Sequence, residues 1–216
     1  MRGLLIGTVL ALVAMAAPAR AQDHRPCFDV AVVARLTKIA PDPIPDLGPD
    51  TIVMRWPWSL EFQTEQVLIG HVDRSRLQVT MSLHTYFRGG IDHFLLFLKR
   101  QDDGSYVAVN FETRVIEDRF GRFIVPIYYP LYEPDDLDEF VPGDWPPINY
   151  EQFLTPIRYD PEDAWWMDHI NEDEYADVPA GWFTRRGRNL VALRGLRLRD
   201  LPRMIAQDPA AICPAA

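Results

Sequence analysis

Apolar and polar residues alternate most regularly over Leu77–His84. Leu77, Val79, Met81 and Leu83 take one face, and Gln78, Thr80, Ser82 and His84 the other, which predicts a strand with one buried face. Phe94–Leu98 is instead a continuous apolar run, the pattern of a strand buried on both faces and set in the middle of a larger sheet. Asp102-Asp103-Gly104 then supplies a turn, with Gly104 free to take positive φ. Tyr106–Phe111 alternates again, with Val107, Val109 and Phe111 on one face. His93–Phe111 therefore reads as a β-hairpin around which the chain is organised. Upstream, Val30, Val32, Val33, Leu36 and Ile39 predict a strand within Cys27–Ile39, and the four prolines of Pro41–Pro49 predict a loop. Thr51–Gly70 is extended, with Ile52, Met54 and Trp56 alternating before Pro57 and Trp58, Leu60 and Phe62 after it. A proline inside such a run implies an edge position or a bulge. Arg114–Val125 offers one more strand, broken at Gly121.

Short strands joined by short loops predict a mainly β fold, a small antiparallel barrel or sandwich. The succession VAVVARLTKI, FQTEQVLIGH, LQVTMSLH and HFLLFLKRQDDGSYVAV resembles secreted OB-fold domains of the netrin and tissue-inhibitor-of-metalloproteinase type, over about Cys27–Phe111. The resemblance implies a small antiparallel OB-like barrel over residues 22–125 in a secreted chain. In the inhibitors of that family the mature N-terminal cysteine reaches a protease zinc. Here Gln22–Pro26 precede Cys27, and Asp29 stands where a Cys-x-Cys would need its second cysteine, so metalloprotease inhibition is not carried over.

The N-terminus sets the compartment. Arg2 is a positive start, Leu4–Ala17 an apolar run and Ala19-Arg20-Ala21 a small-x-small cleavage pattern, so residues 1–21 read as a signal peptide and the mature chain as starting at Gln22. The alternative is an uncleaved N-terminal anchor. No second segment is long enough to span a bilayer, so none is expected after cleavage, and an exported periplasmic or extracellular protein is expected. Cys27 and Cys213 are the only cysteines, and in an oxidising compartment one disulfide is their simplest use. Two unpaired cysteines remain the alternative. Loss of Arg2 and Arg20 takes the net charge from −9 to −11, which disfavours nucleic acid and anionic membranes as partners.

Composition changes after the barrel. Residues 126–180 carry 15 Asp and Glu against one basic residue, Arg158, with many prolines and aromatics. So many aromatics argue for an ordered acidic elaboration packed on the barrel, with a short helix within Asp163–Tyr175. Residues 181–216 begin with a basic stretch holding seven arginines up to Arg203, positioned to neutralise the acidic one. Leu198–Gln207 predicts a C-terminal helix with Asp200 as N-cap, Pro202 in the first turn and an apolar stripe of Leu201, Met204 and Ile205. The tail then reaches Cys213.

Candidate chemistry is sparse. His71-Val72-Asp73 sits between Gly70 and Arg74-Ser75-Arg76 and reads as a solvated turn. Asp92-His93 and Asp168-His169 are carboxylate–imidazole neighbours, but adjacent strand residues point to opposite faces. No spacing gathers three histidines around a metal, with His84 the one candidate to approach either pair. There is no Gly-x-Ser-x-Gly turn, and Gly89-Gly90 is a lone pair outside any phosphate-binding loop. No cofactor or metal is expected. The expected function is a non-enzymatic binding or interaction module for an unknown protein or glycan. Its surface would lie at Trp145, Trp165, Trp166 and Trp182, with Arg185, Arg186 and Arg188 available to an acidic partner. The alternative is a carbohydrate-binding protein or glycan-acting hydrolase using Glu162, Asp163 and Asp168 as acid and base beside Trp165 and Trp166.

Overall fold

The computed structural model describes residues 27–43, 55–83, 92–109, 113–127, 150–159, 166–167, 181–187 and 189–214. Its first five strands are β1 (Val30–Pro41), β2 (Trp56–Ile69), β3 (Arg76–Leu83), β4 (His93–Arg100) and β5 (Tyr106–Ala108). β1 pairs antiparallel with β2, β2 with β3, β4 with β5, and β4 returns to β1 from Val30↔Leu98 to Arg35↔His93. β3 and β5 close the ring by a parallel pairing, Val79↔Tyr106 and Thr80↔Val107. The result is a closed five-stranded barrel in the order β1-β2-β3-β5-β4-β1, consistent with an OB-like domain.

The barrel interior follows from period-two alternation. Val30, Val32 and Ala34 point inward from β1, Trp58, Leu60 and Phe62 from β2, Leu77, Val79, Met81 and Leu83 from β3, Phe94, Leu96 and Leu98 from β4, and Tyr106 from β5. Each fully buried side chain of this size contributes about 1.5–3 kcal/mol relative to exposure. On β5 it is Tyr106 and Ala108 that meet this core. The other face, which carries Val107 and Val109, points out: Val107 is 37% exposed and Val109 packs on a second core. Phe111 and His84 lie outside the described residues.

β1 and β4 are apolar on both faces because a second core lies against the outside of that wall. Ala31 and Val33 of β1 and Leu95 and Phe97 of β4 meet Val115, Val125, Tyr150, Phe153, Leu196 and the C-terminal segment. This second layer contains β7 (Ile116–Glu117), β8 (Phe123–Pro126), β9 (Leu154–Pro156) and β13 (Arg194–Arg197), while β6 (Thr113–Arg114) extends the barrel sheet. β6 pairs with β4, while β7, β8, β13 and β9 form a sheet in that order. In place of the one expected strand broken at Gly121 over Arg114–Val125, Arg114 ends β6, and β7 and β8 follow, joined by a turn at Gly121, whose φ is +71°. β10 (Trp166–Met167) and β11 (Phe183–Arg186) flank β12 (Asn189–Ala192), next to a third core of Ile124, Ile127, Ile157, Phe183, Leu190 and Ala192.

The C-terminal helix α1 spans Leu201–Ile205, shorter than the periodicity suggests, because Leu198–Asp200 forms a 3-10 turn. Leu201, Met204 and Ile205 are fully buried, as the apolar stripe requires. Asp200 makes no side-chain cap bond. Its carboxylate instead meets Arg197, accepting from Nε at 3.0 Å and lying 2.9 Å from Nη2. Cys27 and Cys213 form the expected disulfide across 186 positions. Phe28 and Ile212 bridge beside it, with Phe28 N–H donating to Ala211 O and Cys213 N–H to Phe28 O. In the chain-entropy account a loop this long is worth about 5 kcal/mol, and usually less in practice.

Candidate functional site

The parallel contact between β3 and β5 decides where chemistry gathers. Parallel strands begin at the same end, so the β2–β3 loop (residues 70–75) and the β4–β5 turn (residues 101–105) lie side by side. The start of β1 and the ends of β2 and β4 share that end. Gly70 leads out of β2 with φ +76°, and a Cβ there would sit 2.4 Å from the Asp29 carbonyl oxygen. Only glycine allows the loop to leave this close to β1. Gln101 N–H donates to Ser105 O, Gly104 N–H to Gln101 O, and Ser105 N–H to Asp103 Oδ1, which fixes the opposite turn.

Between the two loops lies a cleft of about 240 Å³. Asp73, Arg74, Arg76 and Gln78 line one side, Arg100, Asp103 and Ser105 the other, with Leu77 and Tyr106 below. Arg100 joins the sides. Its Nη1 donates to Asp73 Oδ2 at 2.8 Å, its Nη2 to His71 O at 3.1 Å, and its guanidinium lies 5.6 Å from the centre of the Tyr106 ring. Its backbone N–H donates to Asp29 Oδ2 at 2.7 Å. Arg100 holds the Asp73 carboxyl below its ordinary range by that hydrogen bond and its charge. The hydroxyl and N–H of Ser105 do the same for Asp103. Arg76 only approaches Glu61, at 3.8 Å, with its side chain 74% exposed. Among the described residues no carboxylate lies within ion-pair distance of Arg74.

His71-Val72-Asp73 is a loop as expected, with His71 exposed and its Nε2 3.3 Å from Asp73 Oδ1. The Arg100 clasp is what the loop reading missed. Asp92-His93 departs from expectation more plainly. His93 Nδ1 lies 2.8 Å from Asp92 Oδ1, because Asp92 precedes the first residue of β4 and is outside the strand alternation. The Phe123 ring sits 5.7 Å from the imidazole. Among the described residues no group of three metal-ligating side chains forms.

Trp145, Trp165, Glu162, Asp163, Asp168 and Arg188 lie outside the described residues. The Trp166 backbone pairs with Val191. Trp182 is half-buried against the third core, beneath the Arg194 guanidinium at 5.8 Å. Arg185 Nε donates to Gly187 O at 2.7 Å. No helix among the described residues is long and apolar enough to cross a membrane. Comparison with protein-family models, with curated proteins and with solved structures finds no match in any of the three.

Proposed function

We propose that the chain is an exported, non-enzymatic binding module whose ligand enters the cleft between the β2–β3 loop and the β4–β5 turn. The observation that carries this reading is the cleft's construction. A closed barrel holds both walls, Arg100 locks one loop to the end of β4, and Ser105 locks the other. The walls are therefore preorganised, and ligand binding costs little further ordering. The carboxylates inside speak against proton transfer as the task. Asp73 and Asp103 are held ionised by their partners, whereas a general acid at neutral pH needs its pKa raised. The disulfide supports export, because such bonds persist in oxidising compartments. The cleft is slightly below the ~300–1,000 Å³ of sites for drug-sized ligands, so it suits a small ligand or the end of a larger one.

The test is amide chemical-shift mapping of the oxidised chain against pooled glycans and peptides. Shifts confined to residues 70–78 and 100–106 are expected, with the pooled compounds recovered unchanged. Shifts centred elsewhere, or turnover of a pooled compound, would overturn the reading.

A further inference from the structure

We infer that the cleft takes a carboxylate-bearing sugar. This rests on the reading of the cleft as the ligand site and concerns what it selects. The charged groups divide into used and unused. Arg100 is spent on Asp73 and His71 O, and Asp73 has Arg100 on one oxygen and His71 near the other. Arg74 and Arg76 keep free donors on one wall. A guanidinium presents its N–H groups as a planar fork that matches a carboxylate.

The cleft also offers acceptors, Asp103 on the facing wall and Gln78 beside Arg76. Asp103 is ionised, and the Ser105 N–H occupies its Oδ1. Gln78 donates its amide N–H to Glu61 Oε2 at 3.0 Å, which leaves its own carbonyl oxygen to accept. Acceptors of this kind suit hydroxyl donors. The cleft therefore asks for one carboxylate at Arg74 and Arg76 and for hydroxyls at Asp103 and Gln78. A neutral sugar leaves the two guanidinium forks unfilled. Phosphate brings a double charge next to Asp73 and Asp103. A zwitterionic dipeptide answers the carboxylates but leaves the neutral acceptors unused.

The experiment is calorimetric titration of the oxidised chain with galacturonate, the matching neutral galactose, inorganic phosphate and alanylglycine, with shift mapping alongside. Galacturonate is expected to bind in the cleft, the other three at least about tenfold more weakly, and raising salt from about 20 to 200 mM should weaken it through screening. The double variant R74A/R76A should lose about tenfold or more, and D103N about threefold to tenfold, the scale of a lost charge-assisted hydrogen bond. Both variants change exposed side chains, and thermal melting should match the parent; R74K/R76K, which keeps charge but not the fork, guards against a folding artefact by retaining only part of the affinity. Equal binding of the neutral sugar, the phosphate or the dipeptide overturns the inference while cleft shifts still uphold the site. No cleft shift with any probe or pool overturns both.

Discussion

The backbone N–H of Arg100 donates to the Asp29 carboxylate at 2.7 Å, joining the end of β4 to the residue just before β1, 71 positions earlier. Asp29 N–H in turn donates to Leu98 O at 2.8 Å. One short side chain thus ends the β1–β4 ladder and holds the strand end that bears the Arg100 guanidinium. Replacing Asp29 by Ala removes the acceptor and should cost about 1–2 kcal/mol, toward the lower part of the range for an unsatisfied donor because water can reach this end. D29N keeps an acceptor and should cost less. Urea melts of the two variants check the order. Equal losses would mean that the carboxylate's charge, and not its acceptor position, matters.

Gly195 lies in β13 between β8 and β9. A Cβ there would fall 2.5 Å from Val125 O and 2.5 Å from Ile124 Cγ2. The isoleucine methyl can move, but the carbonyl belongs to the β8 ladder. G195A should therefore destabilise by about 1–3 kcal/mol, the usual cost of overpacking. Exchange protection of the amides in β8 and β13 should fall more than that of β2 and β3. A variant with unchanged melting would show that the two strands can separate without loss.

Local pattern made β3 and β4 readable: one shows alternation, the other a run, and burial follows both. The inside of β5 was less readable, because Tyr106–Val109 offers an apolar residue on each face and the barrel takes Tyr106 and Ala108. β11 and β13 escaped notice because their exposed arginines, Arg185, Arg186 and Arg194, dominate segments of four residues. Too few apolar positions remain there to show a period. The Asp92–His93 contact depends on where β4 begins, and a one-residue boundary reverses the expectation. The cleft was hidden for a different reason. Arg74 and Arg76 mark a turn in sequence, and only the parallel pairing of β3 with β5 brings them opposite Asp103. That pairing is a property of barrel closure and of no single segment.

Asp118 is the most buried ionised group among the described residues, at 3% exposure. It sits in the β7–β8 turn, accepting from Phe120 N–H at 3.0 Å, Arg122 N–H at 3.1 Å and Arg122 Nε at 2.9 Å, with Arg122 Nη2 also in contact. Burial pushes its pKa up, but the Arg122 guanidinium and the two N–H groups together outweigh it, so the folded value lies below the ordinary 3.8. Between that lowered value and 3.8 the unfolded chain binds more protons than the folded one, so stability rises with pH there. The contribution is complete above about pH 5 and is lost as pH falls through the folded value. D118N should lose about 2 kcal/mol at neutral pH, less than the ~3–5 of a fully buried broken pair, because Asn keeps one acceptor and Arg122 can reach solvent. Its acid limb should be flatter than the parent's below about pH 4, though not flat, since Asp73 and Asp103 are lowered as well. Melts at a series of pH values decide this, and parallel acid limbs would contradict it.

The Tyr159 hydroxyl is buried and has no hydrogen-bond partner among the described residues, while its ring packs against the third core. Burial raises its pKa well above the usual tyrosine value, against the opposing pull of Arg186, so the group stays neutral at physiological pH. A neutral hydroxyl without a partner gives up its bonds to water and gains none in return, whereas the ring's apolar burial does not depend on it. Tyr159→Phe removes that unsatisfied group and leaves the ring in place. The expected result is a gain of about 1 kcal/mol, within the range that unpaired buried polar groups cost, read as a raised denaturation midpoint at unchanged m-value. A loss of similar size would mean that the hydroxyl is satisfied in solution, and would make Tyr159 a polar contact of the third core.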